Sequence, residues 1–213
     1  MFITFEGIEG CGKSTQVGRL ARRLDKLSVP VVVTLEPGAT SMGREIRRLL
    51  LDSRNSNMSS LAELFLYEAD RAQHIQEVIA PALRDNKWVL CDRYFDATTA
   101  YQGYARGQDM AFVEELNAKA SFGIRPDVTF LIDCPVEVGI KRALERNHVM
   151  DQEGQDRFER ENLEFHDSVR KAYLHMAEKE NGRFFVIDGT LPEDGIEEAV
   201  FNILRPFIPE VER

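Results

Sequence analysis

A glycine-rich stretch close to the N-terminus constrains this chain more than any other feature. The residues from Gly7 to Ser14 fit the pattern G-x-x-x-x-G-K-[ST], which binds the phosphates of a nucleotide. The pattern requires a strand before it and a helix after it. An apolar run at 2–5 precedes the stretch, and apolar residues recur at helical spacing from Val17 to Leu27. The sequence therefore predicts a strand, a P-loop and a helix, in that order.

Each residue type in this loop has a chemical role. Glycines let successive backbone N–H groups face a phosphate without a side chain in the way. Lys13 brings a positive charge to the β- and γ-phosphates, and the Ser14 hydroxyl is a ligand for Mg²⁺. Cys11 is either a small loop residue or, beside a helix N-terminus, a reactive thiol. We expect contacts to a nucleoside triphosphate from Gly7, Ile8, Glu9, Gly10, Cys11, Gly12, Lys13, Ser14 and Thr15.

The rest of the chain alternates strand patterns with helix patterns. The strand-like segments after the first are 30–35, 88–92, 126–133 and 184–188. Such alternation predicts an α/β fold whose parallel sheet is covered by helices on both faces. The segment 30–35 is apolar on both faces, so we expect a buried strand there. The whole chain, 1–213, is expected to form a single domain.

The segment from Arg146 to Arg157 is dense in charged residues and contains Gly154. We expect it to be an insert that forms a mobile lid. The alternative is a solvated, charged helix face, which is what most charge runs are.

Two strand ends carry acidic residues, Glu36 after the second strand and Asp92 at the end of the third. In open α/β sheets, ligands bind outside the carboxyl ends of the strands. Beside a P-loop we interpret Asp92 as a carboxylate for Mg²⁺ or its waters, although a turn or cap residue is the alternative. Tyr67 and Arg71 are four residues apart on a predicted helix, so they share a face and could point at one ligand. For Tyr67 the alternative is core packing.

Composition and charge narrow the range of partners. The formal net charge is −9, whereas proteins that bind nucleic acids or membrane surfaces are more often basic. The chain has no apolar run of about 20 residues, and its three scattered cysteines suggest reduced thiols. We also expect no signal peptide. We therefore expect a cytoplasmic protein with no nucleic-acid or membrane partner. The histidines lack a zinc or nucleophile partner nearby in sequence, and we expect all of them on helix surfaces or in the lid: His74, His148, His166 and His175.

Further short motifs, taken with the P-loop, give a family resemblance. Phe-Glu-Gly at the loop is followed by Glu-Pro-Gly (36–38), Asp-Arg-Ala-Gln-His (70–74), Asp-Arg-Tyr (92–94), Ala-Tyr-Gln-Gly (100–103) and Arg-Pro-Asp (125–127). In this order the motifs resemble those of bacterial thymidylate kinases, and the likeness covers nearly the whole chain. The resemblance implies Mg²⁺-dependent transfer of the γ-phosphate of ATP to dTMP, giving dTDP. It also implies a five-stranded parallel sheet of the P-loop NTPase fold and a homodimer.

The resemblance also implies roles for residues near the acceptor. Arg47 and Arg93 look like the arginines that grip the dTMP phosphate, and Glu36 looks like the acid that faces its sugar and phosphate. Tyr67 stands where the family usually has a phenylalanine that stacks on thymine. Arg71 and Gln102, with Thr98, look like the groups that form hydrogen bonds with the edge of the base. Tyr101 looks like the tyrosine near the 2′ position of the sugar, and Asp92 looks like the carboxylate near Mg²⁺.

The resemblance points to a catalytic arginine in the lid. One subgroup of the family carries this arginine in the P-loop, where the present chain has Glu9, and the other subgroup carries it in the lid. Arg146 and Arg157 are the candidates, and Arg142 shortly before them is expected to contact ATP. The chain departs from the family pattern at Leu35, at Ala39 and in a longer lid around 148–155.

Two other functions stay open on sequence alone. Deoxynucleoside kinases share the P-loop and a Glu-Pro stretch, but their acceptor is a neutral hydroxyl that needs a carboxylate base, for which Glu36 is available. The cluster of Arg47, Arg71 and Arg93 argues instead for an anionic acceptor. The second alternative is a nucleotide-dependent switch with slow or absent turnover.

Overall fold

The fold is built on a sheet of five strands. The computed structural model describes residues 1–149, 154 and 156–208. The strands are Phe2–Glu6 (β1), Val31–Leu35 (β2), Trp88–Asp92 (β3), Val128–Asp133 (β4) and Phe184–Asp188 (β5). Their order across the sheet is β2-β3-β1-β4-β5, and each neighbouring pair is parallel. The predicted α/β fold with a five-stranded parallel sheet is confirmed.

Helices connect the strands. Their bounds are Lys13–Lys26 (α1), Ser41–Leu51 (α2), Ser60–His74 (α3), Ala80–Arg84 (α4), Phe95–Thr98 (α5), Met110–Ala120 (α6), Val136–Val149 (α7), Leu163–Lys179 (α8) and Glu193–Leu204 (α9). Two π-helical segments, Ile75–Ile79 and Thr99–Ala105, continue α3 and α5. Within the described ranges, no helix is both long and apolar enough to cross a membrane.

Alternate side chains of the strands enter two separate apolar clusters. In β3, Trp88 and Leu90 belong to one cluster, whereas Val89 and Cys91 belong to the other. Successive residues of a strand point to opposite faces, so the clusters lie on the two sides of the sheet. Side chains of α1, α8 and α9 complete the first cluster, and those of the helical stretch 75–82 complete the second. Helices therefore cover both faces, as predicted.

The prediction that β2 is buried on both faces is wrong. β2 lies at the edge of the sheet, with β3 as its neighbour, and the side chains of Val33 and Leu35 are 53% and 39% exposed. The position of a strand within a sheet depends on pairing between distant segments. An apolar run by itself cannot distinguish an edge strand from a central one.

The prediction for the histidines is wrong for two of them. His74 and His166 are fully buried, whereas His175 is exposed on α8. The side chain of His148 lies outside the described residues. The ring of His74 is bonded to Glu36 and Thr34, and Nδ1 of His166 lies 3.3 Å from the carboxylate of Glu9.

The loop between β1 and α1 passes very close to α7. Gly10 has a φ of +66°, and a Cβ added there would lie 2.0 Å from the carbonyl oxygen of Gly139 on α7. Only glycine combines this backbone conformation with such a close approach. Gly10 therefore sets the position of the loop against the fold.

We expect Gly10→Ala to lower the free energy of unfolding by about 1–3 kcal/mol, because the new methyl group must displace the backbone of α7. Gly18→Ala on α1 is the matched control, since the nearest heavy atom to its added Cβ is Arg22 Nη1 at 3.7 Å. The control should be neutral or stabilising by up to about 1 kcal/mol. Urea unfolding of both variants measures the difference. Equal stability of Gly10→Ala and the wild type would contradict the packing described here.

Candidate active site

The loop between β1 and α1 wraps around the ammonium group of Lys13. Its Nζ donates to the carbonyl oxygens of Gly7 at 3.0 Å and Ile8 at 2.7 Å, and the side chain is buried. Gly12, with a φ of 103°, opens α1, so that the free N–H groups of the first helical turn border the loop. The Cys11 thiol is fully buried, which makes it a packed loop residue rather than an exposed thiol.

One cavity extends from this loop past the ends of β2 and β3. The predicted site residues that line it are Glu9, Gly10, Lys13, Ser14, Glu36, Arg47, Tyr67, Arg71, Asp92, Arg93, Thr98, Tyr101, Gln102 and Arg146. The structure therefore brings together predicted residues from both halves of the proposed site. Of the others, Gly7, Ile8, Cys11, Gly12 and Thr15 belong to the loop and the start of α1.

Ser14 and Asp92 form an oxygen-rich corner of this cavity. The Ser14 hydroxyl donates to Asp92 Oδ2, which joins the start of α1 to the end of β3. A hydroxyl and a carboxylate are hard oxygen donors, and Mg²⁺ takes few protein ligands because it keeps several waters. The pair fits a Mg²⁺ ion that is also bound to phosphate oxygens. Within the part of the chain that the structure describes, no group of three or more His, Cys, Asp or Glu side chains is placed to hold a metal by itself.

Arg93 connects the end of β3 to the P-loop. Its φ of 70° is uncommon for a residue other than glycine. Nη1 donates to the carbonyl oxygen of Gly7 at 2.9 Å, and Nη2 donates to Glu9 Oε1 at 3.0 Å. Burial by itself lowers the pKa of Arg93, but Tyr101 and Glu9 outweigh it and hold that pKa well above its ordinary value. The guanidinium is therefore a permanent cation in the cavity wall.

Glu9 has three partners around its carboxylate. Besides Arg93, the Tyr101 hydroxyl donates to Oε1 at 2.6 Å, and His166 Nδ1 lies 3.3 Å from Oε2. Burial would raise the pKa of Glu9, but Arg93 and His166 hold it well below its usual range. Glu9 thus presents a largely buried negative charge, 11% exposed, next to the cation of Arg93.

Glu36 lies in a buried network at the end of β2. Its Oε2 accepts a hydrogen bond from Arg71 Nε at 3.0 Å, and its Oε1 lies 2.9 Å from His74 Nδ1. The other ring nitrogen of His74 is 2.6 Å from the hydroxyl of Thr34. Both carboxylate oxygens of Glu36 are therefore engaged by protein groups.

Two side chains hold the Glu-Pro-Gly loop in place. Asp70 Oδ1 accepts the Gly38 N–H at 3.0 Å, and Arg47 Nη1 donates to the Pro37 carbonyl at 2.8 Å. Asp70 Oδ2 is buried and has no hydrogen-bond partner among residues 1–149, 154 and 156–208. Burial and the nearby charge of Glu36 raise the pKa of Asp70 to about 6. Burial also lowers the pKa of Arg47.

Arg71 is fully buried, yet it reaches the cavity. A guanidinium has five N–H donors. In the described part of the chain, four of them form hydrogen bonds of 2.9–3.0 Å. Nε donates to Glu36, Nη1 donates to Glu68 and Asn117, and Nη2 donates to Thr98. One N–H of Nη2 is left for a molecule in the cavity.

Tyr67 lines the same cavity and is half-buried. Its ring lies 6.4 Å from that of Phe158. Burial raises the pKa of the Tyr67 hydroxyl well above its ordinary value, so the ring stays neutral. The two interpretations of Tyr67, core packing and ligand contact, are compatible in this position.

The two lid arginines have different surroundings. Arg146 lines the cavity, and its side chain is 45% exposed. Arg157 is buried instead: Nε donates to the Leu50 carbonyl at 2.6 Å, and Nη2 donates to Glu63. Of the two, Arg146 is the arginine that lines the cavity, while Arg157 joins the end of the predicted lid to α2 and α3.

The predicted lid is described only in part. Its first residues are helical, because α7 extends to Val149. Residues 150–153 and 155, which include most of the longer stretch noted in the sequence, lie outside the described residues. Arg142, predicted to contact ATP, donates through Nη1 to the Gly189 carbonyl at 3.2 Å.

Several polar residues of this site escaped the sequence analysis: Glu63, Glu68, His74, Asn117 and His166. Glu63 carries a signal that could have found it, because Glu63, Tyr67 and Arg71 follow one another at intervals of four and so share a face of α3. Glu68 is also local, because it lies three residues before Arg71 on α3 and pairs with it there. His74, Asn117 and His166 reach their partners from segments far apart in the chain.

Comparisons with known proteins identify a family for this chain. Residues 5–200 match the family model for thymidylate kinase. The chain is 52% identical over 200 residues to a thymidylate kinase of Geotalea daltonii, with 93% of this chain and 94% of that protein covered. It is 50% identical over 214 residues, covering 100% of both chains, to a thymidylate kinase of Desulfosudis oleivorans. The chain belongs to the thymidylate kinase family.

A solved structure supports the assignment at the level of the fold. The crystal structure of a thymidylate kinase from Ehrlichia chaffeensis, 33% identical in sequence, matches with a TM-score of 0.77 over 96% of this chain and 98% of that one. As a thymidylate kinase, the chain has a P-loop NTPase fold and is a nucleoside monophosphate kinase, a phosphotransferase.

The raised pKa of Asp70 predicts a pH dependence of stability. An acid whose pKa is raised by folding stabilises the folded state in its protonated form, and this contribution is lost as the pH rises through about 6. Asp70→Asn keeps an acceptor for the Gly38 N–H but cannot ionise. The free energy of unfolding of the wild type, relative to this variant, should fall by about 2–3 kcal/mol between about pH 4 and pH 6.5. Urea unfolding over that range measures it, and a difference that does not change with pH would contradict the assignment.

Proposed function

We propose that this cavity holds ATP and dTMP end to end and transfers the γ-phosphoryl group of ATP to the dTMP phosphate, giving dTDP. One observation carries the proposal: the cavity that begins at Lys13 in the P-loop also contains Arg47 and Arg93. The two substrates are polyanions, so bringing their phosphates together costs electrostatic energy. Several cations around one cavity offset that repulsion.

The acceptor phosphate needs cations more than it needs a base. A phosphate monoester has a second pKa near ~6, so it is largely ionised at neutral pH. Arginine suits it because the planar guanidinium can donate two parallel hydrogen bonds to its oxygens. Glu36 would be the carboxylate base if the chain were a deoxynucleoside kinase. Both of its carboxylate oxygens are engaged by Arg71 and His74, which favours the phosphate acceptor.

The base and sugar of dTMP have partners on the other wall. Tyr67 stacks on thymine, and Arg71 and Gln102, with Thr98, read its edge. Tyr101 stands near the 2′ position of the sugar and disfavours a ribonucleotide. All of these residues line the cavity, which supports their assignment to one ligand.

The donor half binds ATP through the P-loop amides and Lys13, with Mg²⁺ as the cofactor. Ser14 and Asp92 would hold the ion. When bound, Mg²⁺ neutralises charge on the phosphate oxygens. Lys13 and Arg93 face the developing charge from the protein side, and Asp92 fixes the orientation of the Ser14 hydroxyl.

Arg146 is the lid arginine that we assign to the transferred group. It lines the cavity, whereas Arg157 has its guanidinium occupied by Glu63 and a backbone carbonyl. A cation that approaches the transferred phosphoryl group stabilises the charge on its oxygens in the transition state. Arg157 then acts as an anchor for the lid rather than as a catalytic group.

We also propose a cytoplasmic homodimer. Leu61 and Phe65 on α3 and Phe112 on α6 are exposed apolar side chains, and the two phenylalanine rings are 6.4 Å apart. A second copy of the chain would cover this patch. The three cysteines are free thiols, which suits a reducing compartment.

A coupled assay of ADP release with dTMP and with thymidine tests the proposed reaction. We expect turnover with dTMP only; efficient use of thymidine would favour a deoxynucleoside kinase, and no turnover with any nucleoside monophosphate would favour a switch.

Arg47→Ala should raise the KM for dTMP about tenfold or more, since a charge-assisted hydrogen bond contributes about 1.5–3 kcal/mol. Arg48→Ala is the control, because that neighbouring side chain is 71% exposed on α2. The same KM in both variants would count against the phosphate contact.

Substitution of the two lid arginines should affect different properties, kcat for Arg146 and stability for Arg157. Arg146→Ala should lower kcat on the order of 10³-fold with little change in stability, as expected for an arginine that acts on the transferred group. Arg157→Ala should mainly lower the free energy of unfolding, by about 1.5–3 kcal/mol, because it removes a charged hydrogen bond to the buried carboxylate of Glu63, which keeps Arg106 as a partner. Steady-state kinetics at saturating substrates and urea unfolding measure the two effects. The reverse pattern would exchange the two assignments.

A further inference from the structure

Glu63 is a buried acid that the reaction described above does not use. It is 1% exposed, and its carboxylate accepts hydrogen bonds from three side chains. Gln102 Nε2 donates to Oε1 at 2.9 Å, Arg106 donates to both oxygens at 3.2 and 3.4 Å, and Arg157 donates to Oε2. Its neighbours on the same helix face, Tyr67 and Arg71, line the cavity. Glu63 therefore stands directly behind the wall that is assigned to the base.

The chemistry of Glu63 fixes the orientation of the Gln102 amide. A carboxylate paired with two guanidinium groups has only acceptor atoms to offer, so it binds Nε2 and repels Oε1. The amide of Gln102 cannot rotate by half a turn without placing two acceptors against each other. Gln102 is 1% exposed and lines the cavity, so with Nε2 held by Glu63 the oxygen Oε1 is the amide atom that faces a ligand. In the described part of the chain, no donor is paired with this oxygen.

Arg71 supplies the complementary half of the pattern. Its remaining N–H is a fixed donor, because the other four are held by Glu36, Glu68, Asn117 and Thr98. The cavity wall thus presents one donor, from Arg71, and one acceptor, from Gln102. Neither group can switch between donating and accepting.

We propose that Glu63 is a specificity-determining positioning residue: by holding Gln102 Nε2, it makes the wall complementary to a pyrimidine with a 4-keto group and an N3–H, and mismatched to a 4-amino pyrimidine. Thymine offers its O4 to the donor of Arg71 and its N3–H to Oε1 of Gln102. Cytosine has an amino group at position 4 and no hydrogen on N3. The donor of Arg71 would then face a donor, and Oε1 of Gln102 would face an acceptor. Uracil shares the edge of thymine and passes this test. The inference rests on the proposed dTMP site and concerns selectivity within it.

Glu63→Gln is the sharpest test because it keeps the size of the side chain. The introduced glutamine has a single carbonyl oxygen, and the charged donors of Arg106 and Arg157 compete for it more strongly than an amide does. Its NH₂ group would then face Gln102, whose amide turns to accept from it and presents NH₂ to the cavity. The selectivity of the site should therefore shift toward the 4-amino base.

The measured quantity is the ratio of kcat/KM for dTMP to that for dCMP. Glu63→Gln should lower this ratio about tenfold or more, because a hydrogen-bonding site loses its rejection of the mismatched base. Gln102→Leu, which removes Oε1 but leaves the arginine pairs of Glu63, should lower it in the same way and serves if Glu63→Gln does not fold. Glu63→Asp retains an acceptor-only group and should keep more of the selectivity than Glu63→Gln.

Arg106→Leu is the matched control for a purely structural effect. It removes two of the hydrogen bonds to Glu63 but leaves the carboxylate facing Gln102, so it should reduce stability and keep the ratio within about twofold. If the wild type uses dTMP and either Glu63→Gln or Gln102→Leu keeps the wild-type ratio, the inference is overturned and the function stands. A fall in the ratio with Arg106→Leu equal to that with Glu63→Gln would also overturn it. If the wild type does not phosphorylate dTMP at all, the proposed function fails first.

Discussion

The ion pair between Arg93 and Glu9 is the interaction on which the rest of the site depends. It joins the end of β3 to the P-loop that follows β1, and the same guanidinium also holds the Gly7 carbonyl. Donor and acceptor halves therefore share one fixed geometry. Arg93 is also the proposed ligand of the acceptor phosphate, so an arriving phosphate competes with Glu9 for it. Glu9 would retain the Tyr101 hydroxyl and the neighbouring His166.

Three acidic side chains in and behind this cavity wall are each paired with an arginine. Glu9, Glu36 and Glu63 each bind at least one arginine, and the arginines in turn line or support the cavity. A buried carboxylate without a partner would cost several kcal/mol. Pairing removes that cost and keeps the cations at the cavity before any substrate binds. Once the substrates are bound, cations and amides held in this way do not need to reorganise during phosphoryl transfer, which is how a site of this kind lowers its barrier.

Much of the fold follows from local patterns in the sequence. The P-loop stretch with its flanking strand and helix, and the alternation of strands and helices, predict the parallel sheet because neighbouring residues decide those elements. The edge position of β2 and the burial of His74 and His166 do not follow, since they depend on which distant segments pair. The candidate site behaves similarly. Residues in short motifs, such as Asp92, Arg93 and Arg71, are predictable from the sequence, whereas Asn117 becomes part of the site only when α6 packs against α3.

The central claim is that one cavity holds two phosphate groups facing each other, with Arg93 passing from Glu9 to the acceptor phosphate. A crystal structure with dTMP and a non-hydrolysable ATP analogue bound together tests it most directly. The account predicts that the Arg93 and Arg47 guanidinium groups donate to the dTMP phosphate and that Arg93 Nη2 no longer donates to Glu9. A complex in which Arg93 stays on Glu9 and the dTMP phosphate is bound without either arginine would contradict it.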